Sequence, residues 1–201
     1  MDNFFTTPLP DPSPADAPKN WKAFLRELLE TLLLAAVMFV VINGATARIR
    51  VESVSMQPTL YEKDFVLVYR LAYKFGKTPQ RMDVIVFDPP VNTAEPYIKR
   101  VIGLPGDTVR IEGGRVYIND APLEETYLAA PPRYTGEWKV PEGFVFTLGD
   151  NRNNSSDSHV WGMAPIANII GRALVVYWPT NHWKILHQTT ALAAGSETNA
   201  P

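Results

Sequence analysis

Glu52-Ser53-Val54-Ser55-Met56-Gln57-Pro58-Thr59-Leu60 divides the chain. Upstream, the sequence reads as a tether to a membrane; downstream, as a small β-rich domain. Pro58 fixes its own φ and pushes Gln57 out of the helical region, which predicts a rigid turn or a strand end. A Ser in such a turn ordinarily bonds to nearby backbone. Only the rest of the chain can give Ser55 another role.

Working downstream, Phe65-Val66-Leu67-Val68-Tyr69 and Val84-Ile85-Val86-Phe87 are apolar and β-branched or aromatic, as buried strands should be. Residues 97–102 form a further strand, ended by Gly103-Leu104-Pro105-Gly106-Asp107. Val109-Arg110-Ile111 and Val116-Tyr117-Ile118 alternate around Glu112-Gly113-Gly114-Arg115, a hairpin pattern. Residues 122–141, rich in Pro and aromatics, read as loop. Phe144-Val145-Phe146-Thr147-Leu148 and residues 169–178 supply the last strands. Short strands broken by Gly and Pro, with no second long helix, predict a mainly β fold.

Working upstream, residues 1–19 hold five prolines among polar residues and predict disorder. From Asn20 an amphipathic helical pattern runs into the uncharged residues 31–47, which reach the lower length limit for a spanning helix. A buried core helix and a cleaved signal peptide compete with an uncleaved anchor. The long acidic stretch ahead of the apolar run favours the anchor. Ala45-Thr46-Ala47 resembles a small-x-small cleavage site and is expected to be open to processing there. Flanking charges (Lys19, Lys22 and Arg26 against Arg48 and Arg50) do not set the orientation. The expected organisation is a disordered 1–19, an anchor over 20–47, a β domain over 48–188 with a hairpin and loop extension at about 108–143, and a disordered 189–201.

The 201 residues include no Cys, which excludes disulfides, thiolate metal sites and Cys nucleophiles. The net charge of −2 gives no general attraction to nucleic acid. The polar run Asp150-Asn151-Arg152-Asn153-Asn154-Ser155-Ser156-Asp157 fails as a calcium loop, because Ser155 stands where Gly is needed and Trp161 where the bidentate Glu should be. No His pair has zinc-motif spacing, so no metal and no cofactor is expected. A Ser-His-Asp triad through His159 stays open on composition, although Ser55 lacks the glycines of a nucleophile elbow.

Four segments in order carry a specific resemblance. Ser55-Met56-Gln57-Pro58-Thr59-Leu60, Arg81-Met82-Asp83-Val84-Ile85-Val86-Phe87, Tyr97-Ile98-Lys99-Arg100-Val101-Ile102-Gly103-Leu104-Pro105-Gly106-Asp107 and Gly149-Asp150-Asn151-Arg152-Asn153-Asn154-Ser155-Ser156-Asp157-Ser158-His159 follow an N-terminal anchor. Together they resemble the boxes of bacterial type I signal peptidases, across about residues 22–180. The resemblance implies a membrane-bound serine endopeptidase with a signal-peptidase-like β fold, which cleaves signal peptides of exported proteins after Ala-x-Ala.

By the same resemblance Ser55 is the nucleophile and Lys99 the general base. Lys99 on an apolar strand beside Tyr97, Ile98 and Val101 would have its pKa depressed by burial, leaving an amine able to take the Ser proton. Ser155 would hydrogen-bond and orient that amine. The Ser53 hydroxyl, with the Ser55 N–H, would form the oxyanion hole. Arg100 with Asp150, and Asp157 with a partner, would brace the site. Met56, Leu60, Tyr97 and Ile98 would line the first substrate pocket, and Val51 and Ile98 the third.

The sequence departs from the family at His159, where Arg usually stands, at Val54 for Gly, at Glu52 for Pro and at Met82 for Gly. Implied partners are presecretory proteins and membrane lipid, not nucleic acid; the oligomeric state is not set. The implied location is the plasma (inner) membrane, single-pass, with the catalytic domain on the outer face. Trp138, Trp178, Trp183 and Phe144 are candidates for the lipid interface. Two rivals remain: a self-cleaving Ser/Lys repressor of related fold, which needs a DNA-binding segment the N-terminus does not offer, and a membrane-tethered β domain that binds without catalysis.

Overall fold

The computed structural model describes residues 20–91 and 95–186. The expectations for residues 1–19 and 189–201 lie outside them. The chain divides between Ile42 and Asn43 into two compact units.

The described residues of the first belong to helix α1, Trp21–Ala45, and the turn at Asn20 that opens it; the last three residues of α1 fall in the second unit. The first turn of α1 closes through the Phe24 amide on the Asn20 carbonyl, and Arg26 pairs with Glu30 one turn on at 2.7 Å. Twenty-five residues span about 37 Å, more than the roughly 30 Å hydrocarbon core of a bilayer. No side chain of α1 is buried. Among the described residues α1 is the one helix long and apolar enough to cross a membrane.

The second unit is β-structured. Its strands are β1 (Thr46–Arg50), β2 (Phe65–Tyr69), β3 (Val84–Phe87), β4 (Tyr97–Gly103), β5 (Thr108–Glu112), β6 (Arg115–Ile118), β7 (Ala121–Pro122), β8 (Gly136–Lys139), β9 (Phe144–Leu148), β10 (Ala164–Pro165), β11 (Ile169–Trp178) and β12 (Lys184–Ile185). The main sheet runs β1-β2-β11-β3-β4-β9-β10, with β12 on β11, and all its pairings are antiparallel. Register shifts in β11 near Gly171, Ala173 and Val176 bend this ten-residue strand, so that it pairs with β2, β3 and β12. A second sheet runs β7-β6-β5-β8.

The period of two explains how one strand serves two cores. In β3, Val84 and Val86 face the cluster of Val51, Met56, Leu60, Val66, Val68, Ile98 and Val176. Ile85 and Phe87 face the opposite side, with Val101, Val145 and Ala164. A third cluster, including Met82, Ile102, Val109, Ile111, Phe146 and Leu148, packs the second sheet against the first.

The mainly β class and one N-terminal apolar helix agree with the sequence reading. Three local expectations change. Residues 122–141 are not all loop: Gly136–Lys139 pairs with β5, so the extension is a four-stranded sheet. A short polar strand that borrows its ladder from a neighbour carries no period-two signal of its own. Trp138 and Phe144 pack into the third cluster, with the Trp138 and Phe146 rings 5.0 Å apart. Finally, Ala45-Thr46-Ala47 is an ordered, half-buried segment and not an open linker. Ala45 ends α1, and Thr46 and Ala47 pair with Tyr69 and Val68 in the first rungs of β1.

Candidate active site

The turn around Ser55 is built by local hydrogen bonds. The Gln57 amide donates to the Val54 carbonyl at 3.1 Å and the Leu60 amide to Met56 at 2.8 Å. The Val51 amide and carbonyl bond to Asp64 and Lys63, fixing where the turn leaves the sheet. Across from it β4 is a central strand, paired to β3 and β9. Alternation along β4 sets its charged residues on opposite faces: Lys99 lies with Tyr97, its Nζ 5.2 Å from that ring, and Arg100 points the other way.

Lys99 Nζ lies 2.6 Å from Ser55 Oγ, and both residues are buried, 4 % and 6 % exposed. Burial pushes the Lys99 pKa down to about 8, against the opposing pull of the Asp157 and Asp150 charges. Ser53 Oγ lies 3.1 Å from Ser55 Oγ.

β9 runs beside β4 and delivers the segment that follows it, from Gly149 onward. The Asn151 amide donates to the Ser55 carbonyl at 2.9 Å, and Asn151 Nδ2 to the Val54 carbonyl at 3.1 Å. A Cβ at Gly149 would fall against the Ser155 hydroxyl and the Ser55 carbonyl, so only Gly lets the two segments meet. Arg100 grips Asp150 with two bonds, Nε at 2.8 Å and Nη2 at 2.6 Å, and donates to the Met82 carbonyl at 3.1 Å. Asp157 is fully buried, not a solvated surface acid; it accepts from the Gly149 amide at 2.9 Å and pairs with His159 Nδ1 at 2.5 Å. The His159 ring is stacked on Tyr134 at 3.9 Å.

A groove of about 350 Å³ opens on Ser55 and Lys99. Ile49, Val51, Glu52 and Ser53 form one wall; Val86, Pro96, Tyr97 and Ile98 contribute to the other.

Residues 25–178 match the family model described as signal peptidase, peptidase S26. The chain belongs to this peptidase family. It is 45% identical over 185 residues to a signal peptidase I of Leptolyngbya laminosa, covering 88% of this chain and 91% of that protein. It is 41% identical over 191 residues to a probable signal peptidase I-1 of Synechocystis sp., covering 90% and 96%. A solved signal peptidase I of Enterococcus faecalis is 37% identical, covers 48% of this chain and 97% of its own, and has a TM-score of 0.45.

Within this S26 peptidase, the residues singled out from sequence fall into two groups. Ser53, Ser55, Lys99, Val51, Tyr97 and Ile98 meet at the groove, and Arg100, Asp150 and Asp157 sit behind it. Three do not match their assigned parts. Ser155 Oγ is buried without a hydrogen-bond partner, so the expected bond to Lys99 is not made. The hydroxyl is packed toward Gly149, and the Lys99 amine is engaged by Ser55 instead. Met56 and Leu60 are fully buried in the core with Val66 and Val68, beneath the turn, and do not line the groove.

The sequence reading missed a buried cluster behind the site. Arg152, 1 % exposed, donates to both oxygens of Glu125, at 2.8 and 2.5 Å, and to the Gly149 carbonyl at 3.1 Å. Tyr127 joins it, accepting from Arg152 at 3.2 Å, with the Arg100 guanidinium 4.1 Å above its ring. Glu125 and Tyr127 come from the stretch read as loop, so nothing local marked them. Asn151 and Arg152 stood inside the polar run, but an Asn or Arg there reads equally well as solvated.

Proposed function

We propose that this peptidase uses Ser55 as nucleophile and Lys99 as general base to cleave signal peptides of exported proteins after Ala-x-Ala. The observation that carries the reading is the 2.6 Å contact of Lys99 Nζ with Ser55 Oγ inside a groove, between two buried groups. A neutral Lys99 amine takes the Ser55 proton as Oγ attacks the scissile carbonyl. The oxyanion that forms accepts hydrogen bonds from the Ser55 N–H and the Ser53 hydroxyl, donors aimed where charge develops. Lys99 then passes its proton to the leaving amine, giving an acyl-enzyme, and serves again as base for the water that hydrolyses it.

The groove walls favour an extended substrate added as a strand, held by backbone bonds and selected by small side-chain pockets. Val51, Tyr97 and Ile98 line the groove, and shallow pockets bounded by them would accept Ala and exclude larger groups. Helix α1 anchors the enzyme in the plasma (inner) membrane with the β domain on the outer face, where presecretory proteins present their signal peptides. Anchoring raises the effective concentration of enzyme and substrate in that plane.

The test is cleavage of an Ala-x-Ala presecretory substrate by purified full chain in detergent. Lys99→Ala should lower the rate by roughly 10²–10⁴-fold, and Ser55→Ala should abolish it. Cleavage by Lys99→Ala at the parent rate would falsify the dyad. Loss with His159→Ala alone would favour a triad, but that ring is engaged by Asp157 and Tyr134. Binding of the substrate without cleavage by the parent would favour the non-catalytic module.

A further inference from the structure

Asn151 reaches across the sheet to the turn that carries Ser55, and it does so twice. Its backbone amide donates to the Ser55 carbonyl at 2.9 Å, and its side-chain Nδ2 donates to the Val54 carbonyl, 97 residues away in sequence, at 3.1 Å. These carbonyls belong to the two peptide units that flank the Ser55 Cα. Each unit is rigid and planar, so φ and ψ of Ser55 are the only soft angles between them. One residue that grips both carbonyls therefore fixes the backbone of Ser55.

The Val54–Ser55 unit also carries the Ser55 N–H. Its peptide bond is trans, the cis bonds among the described residues being those before Pro58 and Pro179. In a trans unit the C=O and N–H point in opposite directions. The Val54 carbonyl accepts from Asn151 Nδ2 and from the Gln57 amide, both at 3.1 Å, which occupies its two lone pairs. The Ser55 N–H is thereby turned to the side away from Asn151. Among the described residues no acceptor is bonded to it. Hydrogen bonds to the carbonyl also polarise the N–H of the same unit and make it a stronger donor.

Asn151 is itself held from both sides. Asp150 before it takes two bonds from Arg100, and Arg152 after it is bonded to Glu125 and to the Gly149 carbonyl. Both neighbours are fully buried, whereas Asn151 is half-buried. The ion pairs behind the site thus converge on one polar side chain aimed at the nucleophile's own peptide.

We propose that Asn151 is a positioning residue for the oxyanion hole: its grip on the Val54 and Ser55 carbonyls holds the Ser55 N–H where the oxyanion develops. Asn151 itself touches no reacting atom. The inference rests on the reading of Ser55 as nucleophile and of its N–H as an oxyanion donor, and it adds the group that aims that donor.

Asn151→Leu keeps the size of the side chain and its neutrality but cannot donate. Asn151→Ala is the milder second variant, and both retain the backbone amide bond to Ser55. The full chain in detergent is assayed with an Ala-x-Ala presecretory substrate from about pH 6 to 10, and with a peptide aldehyde ending in Ala-x-Ala. Ser55 Oγ adds to the aldehyde carbon, its proton passes to the Lys99 amine, and the carbonyl oxygen becomes an oxyanion in the hole. The aldehyde thus resembles the transition state and needs the same donors. In both variants kcat and aldehyde affinity should fall together by roughly 10- to 100-fold, less than the 10²–10³-fold lost with a direct donor. KM and the pH at which the rate levels off should stay those of the parent, and thermal unfolding should show both variants folded at the assay temperature. An unchanged kcat overturns the inference. So does a loss carried by KM, which assigns Asn151 to substrate binding, or a displaced pH profile, which assigns it to Lys99. Unfolding of both variants also overturns it, since the bonds then serve the fold alone. A parent that neither cleaves nor binds the aldehyde more tightly than Ser55→Ala removes the dyad; an active parent with variants equal to it removes only the role of Asn151.

Discussion

Replacing Lys99 by Met should destroy cleavage and stabilise the fold. Burial lowers the Lys99 pKa from 10.5 to about 8, and at 1.36 kcal/mol for each factor of ten this corresponds to roughly 3 kcal/mol spent holding the ammonium in the protein. The penalty is fully present below about pH 8, where the amine is charged in both folded and unfolded chains. It fades between 8 and 10.5, where the folded protein has released the proton and the unfolded chain has not. Above 10.5 it is gone. Met fills similar space without charge, and its loss of the Ser55 hydrogen bond costs about 1 kcal/mol. The net gain at pH 7 is about 2 kcal/mol, or roughly 4–8 °C in Tm for a chain of this size. Thermal unfolding of full-length parent and Lys99→Met, in detergent at pH 7, 9 and 10.5, measures the difference, and other titrating groups cancel in the comparison. A variant less stable than the parent at pH 7, or a gap that does not close as pH rises, would mean that Lys99 is a solvated cation. The argument for it as a base would fall with that result.

The same pKa of about 8 predicts that kcat/KM rises about tenfold per pH unit below 8 and levels off above it, with about a tenth of the plateau at pH 7; a profile flat from pH 6 to 9 contradicts this. Glu125→Ala leaves the buried Arg152 guanidinium unpaired and should cost about 3–5 kcal/mol of stability, read by thermal unfolding, with a fall in kcat because Arg152 also holds the Gly149 carbonyl. An unchanged Tm would show that Arg152 finds water or another acceptor. Ser155→Ala removes a buried hydroxyl that has no partner and should stabilise by about 1 kcal/mol or more; destabilisation would mean that the hydroxyl has a partner after all.

The division of the chain at Ser55, the apolar helix and seven of the strands could be read from sequence because each carries its own period. Phe65–Tyr69, Val84–Phe87, Phe144–Leu148 and Ile169–Trp178 contain enough apolar residues to announce themselves. β1 did not: its Thr-Ala-Arg-Ile-Arg continues the end of the anchor in composition and becomes a strand because β2 is there to pair with it. β8 is similar, a four-residue segment made a strand by β5. At the site, Ser55 and Lys99 stood in recognisable boxes, and their 44-residue separation was closed by the sheet. Glu125 carried no such mark, since its meaning comes from Arg152, 27 residues away. The misplacement of Met56 and Leu60 has a related cause. Apolar residues beside a nucleophile fit a pocket wall and a core equally well, and the direction in which a turn points them is a tertiary property.

The pairing of Thr46 and Ala47 into β1 bears on a hazard that any tethered protease of this preference faces. If the proposed Ala-x-Ala preference holds, such a motif, covalently attached, would act as a permanent competitor at high local concentration. Occupying the groove would require it to leave β2 and surrender a set of ladder hydrogen bonds at the root of the domain. On the proposed preference, folding would keep this motif out of the groove until the first rungs of β1 had separated from β2.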